Sequence, residues 1–353
     1  MKSRKGMVWP VILLVLALAV FAYRGRIHFD WAVFWMQLRH VSWVHIAAGI
    51  ALIYATFWLR AVRWSVFIGA TKKVPPHVLV GPQFVGFAAV ALFGRLADVI
   101  RPALVAKRVQ LSISSQVAVY TIERMFDLGA AALIFSGALL FAPRSLPHHE
   151  IFVRTGLFSL AGTVLIAVFA VVLRVFGDFL AGMIRLLVGG LSKPIAGSAA
   201  DKVLKFRDGL NAIGSAQDFL FVSLISLAMW GMIGGAYVQT LHAFADTPQL
   251  ANITYSRTML LMGASLGGSV LQLPIIGWFT QIAVTAAAMH EFYGAPIEAA
   301  TACGALLLVV TFLSIIPTGL VFAQLNDVSL KKIAVESGGK TLSDDAPSPT
   351  ISL

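Results

Sequence analysis

Two groups of ionisable side chains occupy stretches of this sequence that are otherwise mostly apolar. The first group is Arg95, Asp98 and Arg101, and the second is Glu123, Arg124 and Asp127. Spacings of three and four residues place side chains on one face of a helix. Two guanidinium groups on one face suit bidentate binding of a phosphate, and nearby carboxylates can orient them or exchange protons. The spacing therefore predicts an anion-binding or proton-coupled site; an ion-pair lock between helices is the alternative.

The composition of the two groups predicts that they meet. The second group has two carboxylates for one guanidinium, so it needs a further cation, which Arg95 or Arg101 could supply. An ionised side chain at bilayer depth costs about 2.5–3.5 kcal/mol on insertion scales. We therefore expect one neutral network of three cations and three anions, which a lipid phosphate would enter by displacing a carboxylate.

Two arginines precede these groups. Arg60 and Arg63 lie one turn apart in the last third of an apolar segment, beside Trp58 and Trp64. Long basic side chains near a helix end reach the lipid headgroups by snorkelling. The spacing alone therefore predicts that both extend to the membrane surface, and Arg63 enters the candidate site only through the resemblance described below.

A second polar element lies in a late apolar segment. Pro274 and Gly277 break the helical pattern of residues 253–293 and free backbone groups, which Gln272 and Gln281 can satisfy. The same amides can also meet a polar ligand, and a helix that restarts here would point its N-terminus at an anion. A plain kink is the alternative, and the sequence leaves both open.

The composition identifies the class of protein. Of 353 residues, 58% are hydrophobic and 12% are charged, whereas soluble domains carry about 25% charged residues. The chain is therefore predicted to be an integral membrane protein. Its net charge of +11 comes mostly from basic residues that flank apolar segments, which favours anionic lipid headgroups over nucleic acid as partners.

The motifs of several common chemistries are absent from the sequence. It contains no phosphate-binding loop with a Lys, no zinc-protease helix and no serine-hydrolase elbow. Its single cysteine, Cys303, sits in an apolar run. We therefore expect no metal and no cofactor, and a binding or transport protein rather than an enzyme.

The elements that must position these side chains are helices. The predicted fold is all-α, a polytopic membrane bundle with about 6–8 spans and interrupted or re-entrant segments at 78–94 and 253–293. Continuous spans are predicted at 7–23, 41–70, 112–141, 151–176, 218–244 and 296–324. Gly/Pro-interrupted segments in both halves are typical of transporters built from structural repeats, and helix packing through small residues is the alternative.

The chain is predicted to consist of a membrane part and a tail. Residues 1–325 form a single transmembrane domain, in which 177–216 is a cytoplasmic amphipathic segment. The tail, 326–353, is rich in Ser, Asp and Pro and is expected to be cytoplasmic and disordered. Lys72 and Lys73 mark a cytoplasmic loop, so we expect a multi-pass protein of the cell membrane with both termini inside.

Four short motifs occur in an order that resembles a known family. They are Arg63-Trp64; Gly94, Arg95, Asp98, Arg101 and Pro102; Glu123-Arg124 with Asp127; and Leu273, Pro274 and Gly277. Over most of residues 7–325 they resemble the flippase-like family defined by the transmembrane region of lysylphosphatidylglycerol synthases. Two positions depart from the family pattern: Ala97-Asp98 stands where Gly-Glu is common, and Gln281 stands where a proton-carrying Glu is common.

The resemblance implies a protein that binds or translocates an anionic phospholipid or a polyprenyl-phosphate in cell-envelope lipid metabolism. With the charge pattern, it gives a candidate substrate-binding set of Arg63, Arg95, Asp98, Arg101, Glu123, Arg124, Asp127, Gln272 and Gln281. No part of the chain resembles the soluble aminoacyl-transfer domain of the synthases, so lysine transfer is not implied. The alternatives are a membrane enzyme that modifies lipid headgroups and a non-transporting accessory subunit that works with a partner enzyme of envelope biosynthesis.

Overall fold

The computed structural model describes residues 29–94, 97–98, 100–141, 144, 149–189, 192, 196–201, 203–204, 215–268 and 276–325. Every regular element in these ranges is helical, so the predicted all-α class is confirmed. The predicted first span at 7–23 and the predicted tail at 326–353 lie outside the described residues.

Twelve helices are numbered α1 to α12 in chain order. In the first half they are α1 Trp31–Arg39, α2 Trp43–Ile68, α3 Pro76–Phe93, α4 Ile100–Val109, α5 Ile113–Leu140 and α6 His149–Gly189. In the second half they are α7 Ala216–His242, α8 Pro248–Ala251, α9 Tyr255–Gly268, α10 Ile276–Tyr293, α11 Ile297–Leu308 and α12 Ile315–Leu325. A π-helical turn, Val309–Leu313, joins α11 to α12.

Several of these helices are long and apolar enough to cross a membrane. By length and composition they are α2, α3, Gln217–His242 of α7, and the stretch Ile297–Leu325 that comprises α11, the π turn and α12. A spanning helix needs about 20 apolar residues, because lipid offers no partners to backbone N–H and C=O groups. The chain is therefore an integral membrane helical bundle, as its composition predicted.

One end of the bundle is basic. Lys72 follows α2, and its ammonium group donates a hydrogen bond to the carbonyl oxygen of Val109 at the end of α4 (2.8 Å). This contact brings Lys72 and Lys73 near Lys107 and Arg108, which lie in the last turn of α4. We call this the basic end.

At the other end of the bundle, two carboxylates contact the residues that flank α1. The backbone N–H of Asp30 donates to the carboxylate of Glu298 at the start of α11 (3.2 Å). The ring of His40 lies 3.0 Å from Asp246, which follows α7. We call this the opposite end; α2 begins here and α7 finishes here, so the two helices pack antiparallel.

A first hairpin, α3–α4, returns to the end from which it starts. α3 begins at Pro76, just after the lysines of the basic end, and α4 finishes there at Val109. With 10 residues, α4 is about 15 Å long, shorter than the 18-residue α3. The first predicted interrupted or re-entrant segment is thus one arm of a hairpin, and its re-entry into the membrane stays a prediction.

A second hairpin, α9–α10, starts and finishes at the opposite end. The Tyr293 hydroxyl at the end of α10 donates to the carbonyl oxygen of Arg257 early in α9 (2.7 Å). The Ser256 hydroxyl donates to the carbonyl oxygen of Ala138 near the end of α5 (3.0 Å). The segment 253–293, which was predicted to be interrupted, contains these two helices, and Pro274 lies outside the described residues.

α3 is continuous through the residues that were predicted to interrupt it. Gly81, Pro82 and Gly86 all lie inside the helix. Pro82 is in the second turn, where it removes one backbone hydrogen bond. Gly86 serves packing, because a Cβ at this position would lie 2.7 Å from the Cβ of Arg101 on α4. The predicted interruption within 78–94 was wrong, since the glycine allows a close helix approach instead of a break.

Gly86→Ala is expected to weaken the packing of α3 against α4. The new methyl group must push Arg101 away from α3, and overpacking of this kind costs about 1–3 kcal/mol. The thermal unfolding midpoint of the purified protein in detergent measures the loss. Gly129→Ala on α5 is the matched control, because nothing lies within 4 Å of its added methyl group. Equal midpoints for the two variants would contradict the close-approach role of Gly86.

α6 bends at Phe176, where the backbone leaves helical geometry (φ −113°, ψ 19°). The predicted span 151–176 ends at this residue. Beyond the bend the helix continues, and Arg185 lies 3.1 Å from Asp201, with both side chains more than half exposed. The placement of 177–216 at the cytoplasmic surface stays a prediction.

Candidate functional site

Seven charged side chains from the described residues lie together inside the bundle, on α2, α4, α5 and the turn before α4. This charged cluster consists of Arg60, Arg63, Asp98, Arg101, Glu123, Arg124 and Asp127. Arg60 precedes the last residue of α2, Ile68, by two turns, which is about 12 Å along the helix. The hydrocarbon core of a bilayer is about 30 Å thick, so the cluster lies at bilayer depth.

α5 positions the two most buried carboxylates. The helix begins after Ser112, whose hydroxyl oxygen accepts a hydrogen bond from the N–H of Ser115 (3.2 Å). Glu123 and Asp127 follow four residues apart and therefore share one face, which turns toward α2. Their side chains are 1% and 7% exposed. Carboxylates buried to this degree need cations and hydrogen-bond donors as neighbours.

Arg63 on α2 supplies most of these donors. Its Nη1 donates to Asp127 (2.7 Å) and to the hydroxyl of Ser226 on α7 (2.7 Å), and its Nη2 donates to Glu123 (2.8 Å). The side chain is fully buried. One planar guanidinium therefore joins α2, α5 and α7, and Arg63 is the centre of the charged cluster.

Arg101, in the first turn of α4, holds Glu123 from the other side. Its Nη1 donates to Oε1 of Glu123 (3.1 Å) and to the side-chain oxygen of Gln83 on α3 (3.1 Å). Its Nη2 lies 3.0 Å from the second oxygen of Glu123. The guanidinium also lies over the rings of Phe87 (4.7 Å) and Trp64 (5.3 Å). These cation–π contacts stabilise a cation that has lost its water.

Asp98, Tyr120 and Arg124 form the more exposed edge of the charged cluster. The Tyr120 hydroxyl donates a hydrogen bond to Asp98, and Nη2 of Arg124 lies 3.2 Å from the same carboxylate. Arg124 also lies 3.7 Å from Asp127, which connects this edge to the buried part. The side chains of Asp98 and Arg124 are 24% and 35% exposed, so a ligand can reach the cluster here.

The charged cluster has one more cation than it has anions. Its described members are four arginines and three carboxylates, which gives a formal charge of +1. A neutral network had been predicted; the difference arises because Arg60 and Arg63 belong to the cluster, while Arg95 lies outside the described residues. The prediction that Arg60 and Arg63 snorkel to the headgroups was wrong, since the residues are 8% and 0% exposed. The carboxylates of α5 hold them inside the bundle.

The described members of the charged cluster do not include three of the predicted site residues. Arg95 and Gln272 lie outside the described residues. Gln281 is in a different polar group, where its amide donates to the hydroxyl oxygen of Ser265 (3.1 Å). That oxygen also accepts a hydrogen bond from Tyr237 (3.0 Å). Gln281 therefore joins α7, α9 and α10 instead of contacting the charges.

Several residues of the site were not predicted to belong to it. Arg60 had been assigned to the headgroups, and Gln83, Tyr120 and Ser226 had been given no role. Gln83 did carry a signal, because an amide inside an apolar segment needs a polar neighbour. Tyr120 and Ser226 carried none, since single hydroxyls are common in spans and their partners depend on which helices face α5.

An apolar cavity of about 260 Å³ lies between α5, α9 and α10. It is lined by Phe135, Leu139, Met259, Leu260, Gly263, Phe292 and Tyr293. On α5, Phe135 lies two turns beyond Asp127, about 12 Å along the helix. The cavity is thus nearer to the opposite end than the charged cluster is.

Neither a curated protein sequence nor a solved structure matches the chain. A family model described as the lysylphosphatidylglycerol synthase TM region matches residues 7–320. The match includes the whole charged cluster and both hairpins, and it agrees with the resemblance that the sequence motifs carry. The chain therefore belongs to the family of the lysylphosphatidylglycerol synthase transmembrane region, whose members are integral membrane proteins of lipid metabolism.

Proposed function

We propose that this protein binds an anionic lipid, a phospholipid or a polyprenyl-phosphate, and moves its headgroup across the membrane of the cell envelope. The charged cluster is the site that receives the phosphate. Asp98 and Arg124 form its accessible edge, and Arg63 and Arg101 hold the buried carboxylates in place.

The observation that carries the proposal is that the charged cluster has a net positive formal charge at bilayer depth. Four guanidinium groups face three carboxylates among the described residues. An uncompensated charge at this depth costs about 2.5–3.5 kcal/mol. An anionic headgroup removes this cost and a zwitterionic one does not, so the charge of the site favours anionic lipids.

The two hairpins support movement as well as binding. α3 and α4 bring Gln83 and Arg101 to the cluster from the basic end, and α9 and α10 enter from the opposite end. In transporters built from inverted repeats, one repeat rocks against the other and exposes the site to each side in turn. In this proposal the α3–α4 hairpin moves with the headgroup.

Removing Arg124 from the accessible edge, together with the buried carboxylate of Asp127, should slow translocation. Arg124→Ala combined with Asp127→Ala takes away one cation and one anion, so the formal charge of the cluster does not change. We expect the transfer of an acyl-labelled anionic phospholipid between leaflets of proteoliposomes to fall by about tenfold or more, because the headgroup loses a charged contact. Quenching of the outer-leaflet fluorophore by dithionite measures the transfer rate.

The matched control is a second ion pair, removed outside the site. Arg185→Ala with Asp201→Ala removes a pair whose side chains are 55% and 62% exposed, and it should leave the transfer rate unchanged. A monodisperse elution profile shows that each variant is folded. Unchanged transfer by a folded Arg124→Ala/Asp127→Ala protein would refute the proposal.

We further propose that the basic end lies in the cytoplasm, in a multi-pass protein of the cell membrane with both termini inside. Cytoplasmic loops carry an excess of Lys and Arg, and the basic end holds Lys72, Lys73, Lys107 and Arg108.

Cysteines introduced at the two ends should react from opposite sides of the membrane. Lys73 and Asp246 are exposed, whereas the native Cys303 is fully buried and adds little background. A membrane-impermeant maleimide should label Asp246→Cys in intact cells, and Lys73→Cys only after the cells are opened. Labelling of Lys73→Cys in intact cells would reverse the proposed orientation.

A further inference from the structure

Arg60 is the least satisfied cation of the charged cluster. It approaches Glu123 and Asp127 only to 3.7 Å, and its buried Nε and Nη1 donate no hydrogen bond within the described structure. Arg63 and Arg101 also leave some donors unpaired, but hydrogen bonds to at least two acceptors fix each of them. An unpaired buried donor is destabilising, so Arg60 has a capacity for hydrogen bonds that the described residues do not use.

The neighbouring carboxylates do not satisfy Arg60. Oε1 of Glu123 already accepts from Arg63 (2.8 Å) and Arg101 (3.1 Å), and one carboxylate oxygen offers about two lone-pair directions. Oδ2 of Asp127 lies 3.7 Å from both Arg60 and Arg124, so it binds neither of them closely. As they are placed, neither carboxylate accepts a hydrogen bond from the Nε or Nη1 of Arg60.

The guanidinium of Arg60 is nevertheless held in place. It lies over the ring of Phe87, with 4.7 Å between the guanidinium carbon and the ring centre. The side chain is nine-tenths buried, with 10% of its surface exposed. The ring supports one face of the cation, and the buried Nε and Nη1 keep unused hydrogen-bonding capacity for an anion.

We propose that Arg60 is the docking group for a singly charged phosphodiester headgroup, an inference that rests on the proposed function and narrows it. The described cluster has a formal charge of +1, which one phosphodiester neutralises. A phosphomonoester carries about −1.5 to −2 at neutral pH and would bring extra negative charge next to Glu123 and Asp127. The planar fork of Arg60 can bind two oxygens of the diester at once. The site therefore selects diester lipids over monoester lipids.

Binding of short-chain lipids to the full-length protein in detergent tests the proposal. Dihexanoylphosphatidylmethanol, the simplest diester, and dihexanoylphosphatidic acid, the corresponding monoester, differ by one methyl group. Dihexanoylphosphatidylcholine is the zwitterionic reference, and inorganic phosphate serves as a competitor that has no lipid part. Isothermal titration calorimetry at neutral pH gives the affinity of each probe.

Arg60→Gln keeps a polar side chain but lowers the formal charge of the described cluster from +1 to zero. We expect it to weaken binding of the diester by about tenfold or more, because a charged contact at a desolvated site is lost, and to leave binding of the zwitterionic reference unchanged. A purely structural role would lower the affinity for both lipids together. Arg39→Gln, at an exposed position in the last turn of α1, is the matched control and should bind like the wild type.

Each result has a defined meaning. Tighter binding of diester than monoester, lost in Arg60→Gln, supports the proposal. Unchanged diester binding in a folded Arg60→Gln protein, a preference for the monoester, or full competition by inorganic phosphate overturns it, and the proposed function survives. Binding of neither anionic lipid by the wild type would instead overturn the proposed function. If Arg60→Gln does not fold, Arg60→Lys is measured in its place. Weaker diester binding by Arg60→Lys supports bidentate binding by the guanidinium group, and binding equal to the wild type overturns the proposal.

Discussion

Glu123→Gln is expected to lower the free energy of unfolding by about 3–5 kcal/mol, the usual cost of removing one partner from a buried ion pair. The carboxylate faces Arg63 and Arg101 at 2.8–3.1 Å, and its side chain is 1% exposed. Neutralising it raises the formal charge of the described cluster from +1 to +2 and leaves two buried guanidinium groups without their shared anion. Reversible unfolding of the purified protein in mixed detergent micelles measures the difference.

The same substitution at an exposed glutamate provides the control. Glu150 lies in the first turn of α6 and is exposed, so Glu150→Gln removes only a favourable helix-end charge of about 0.3–1 kcal/mol. The two variants make the same chemical change at different depths. An equal decrease in the free energy of unfolding for Glu123→Gln and Glu150→Gln would mean that Glu123 is solvated. It would contradict the conclusion that the charged cluster is desolvated.

A double-mutant cycle on Arg63 and Asp127 is expected to show strong coupling. Arg63→Met alone leaves Asp127 and Ser226 without the donor that each contacts at 2.7 Å, and it should cost about 3–5 kcal/mol. Arg63→Met with Asp127→Leu removes both charges and restores the formal charge of +1. The double variant should therefore be more stable than the sum of the single losses predicts, by about 0.5–3 kcal/mol.

A double-mutant cycle on an exposed ion pair gives the reference coupling energy. Arg185→Met with Asp201→Leu acts on a pair that is more than half exposed on both sides, where coupling is about 0–1 kcal/mol. Unfolding titrations of the four proteins in each cycle give the two coupling energies. Additive effects at Arg63 and Asp127 would show that their hydrogen bond contributes no coupling.

Much of the fold was predictable because membrane helices are apolar over a known length. The predicted spans at 41–70, 112–141 and 218–244 coincide with α2, α5 and α7 within a few residues. The spacing of Glu123 and Asp127 also predicted that they share a face, since helical periodicity depends on local geometry alone. The continuity of α3 was not predictable from its own sequence. The role of Gly86 depends on a contact with Arg101, which lies on another helix.

The composition of the site was harder to predict than its location. Arg60 and Arg63 match both a snorkelling pattern and a buried one, and the choice depends on which side of α2 packs against the carboxylates of α5. That choice is a tertiary contact, and single-helix periodicity does not contain it. Ser226 likewise joined the site because α7 packs against α2 and α5.

Three cations of the site leave the ribosome before the carboxylates that compensate them. Arg60, Arg63 and Arg101 precede Glu123 and Asp127 along the chain. If α2 entered lipid alone, its two arginines would cost up to about 2.5–3.5 kcal/mol each. Pairing with Glu123 and Asp127 removes this cost, so we expect α2 and the α3–α4 hairpin to insert more favourably together with α5 than before it. Stable membrane insertion of the first half of the protein would then depend on the completion of one charged site.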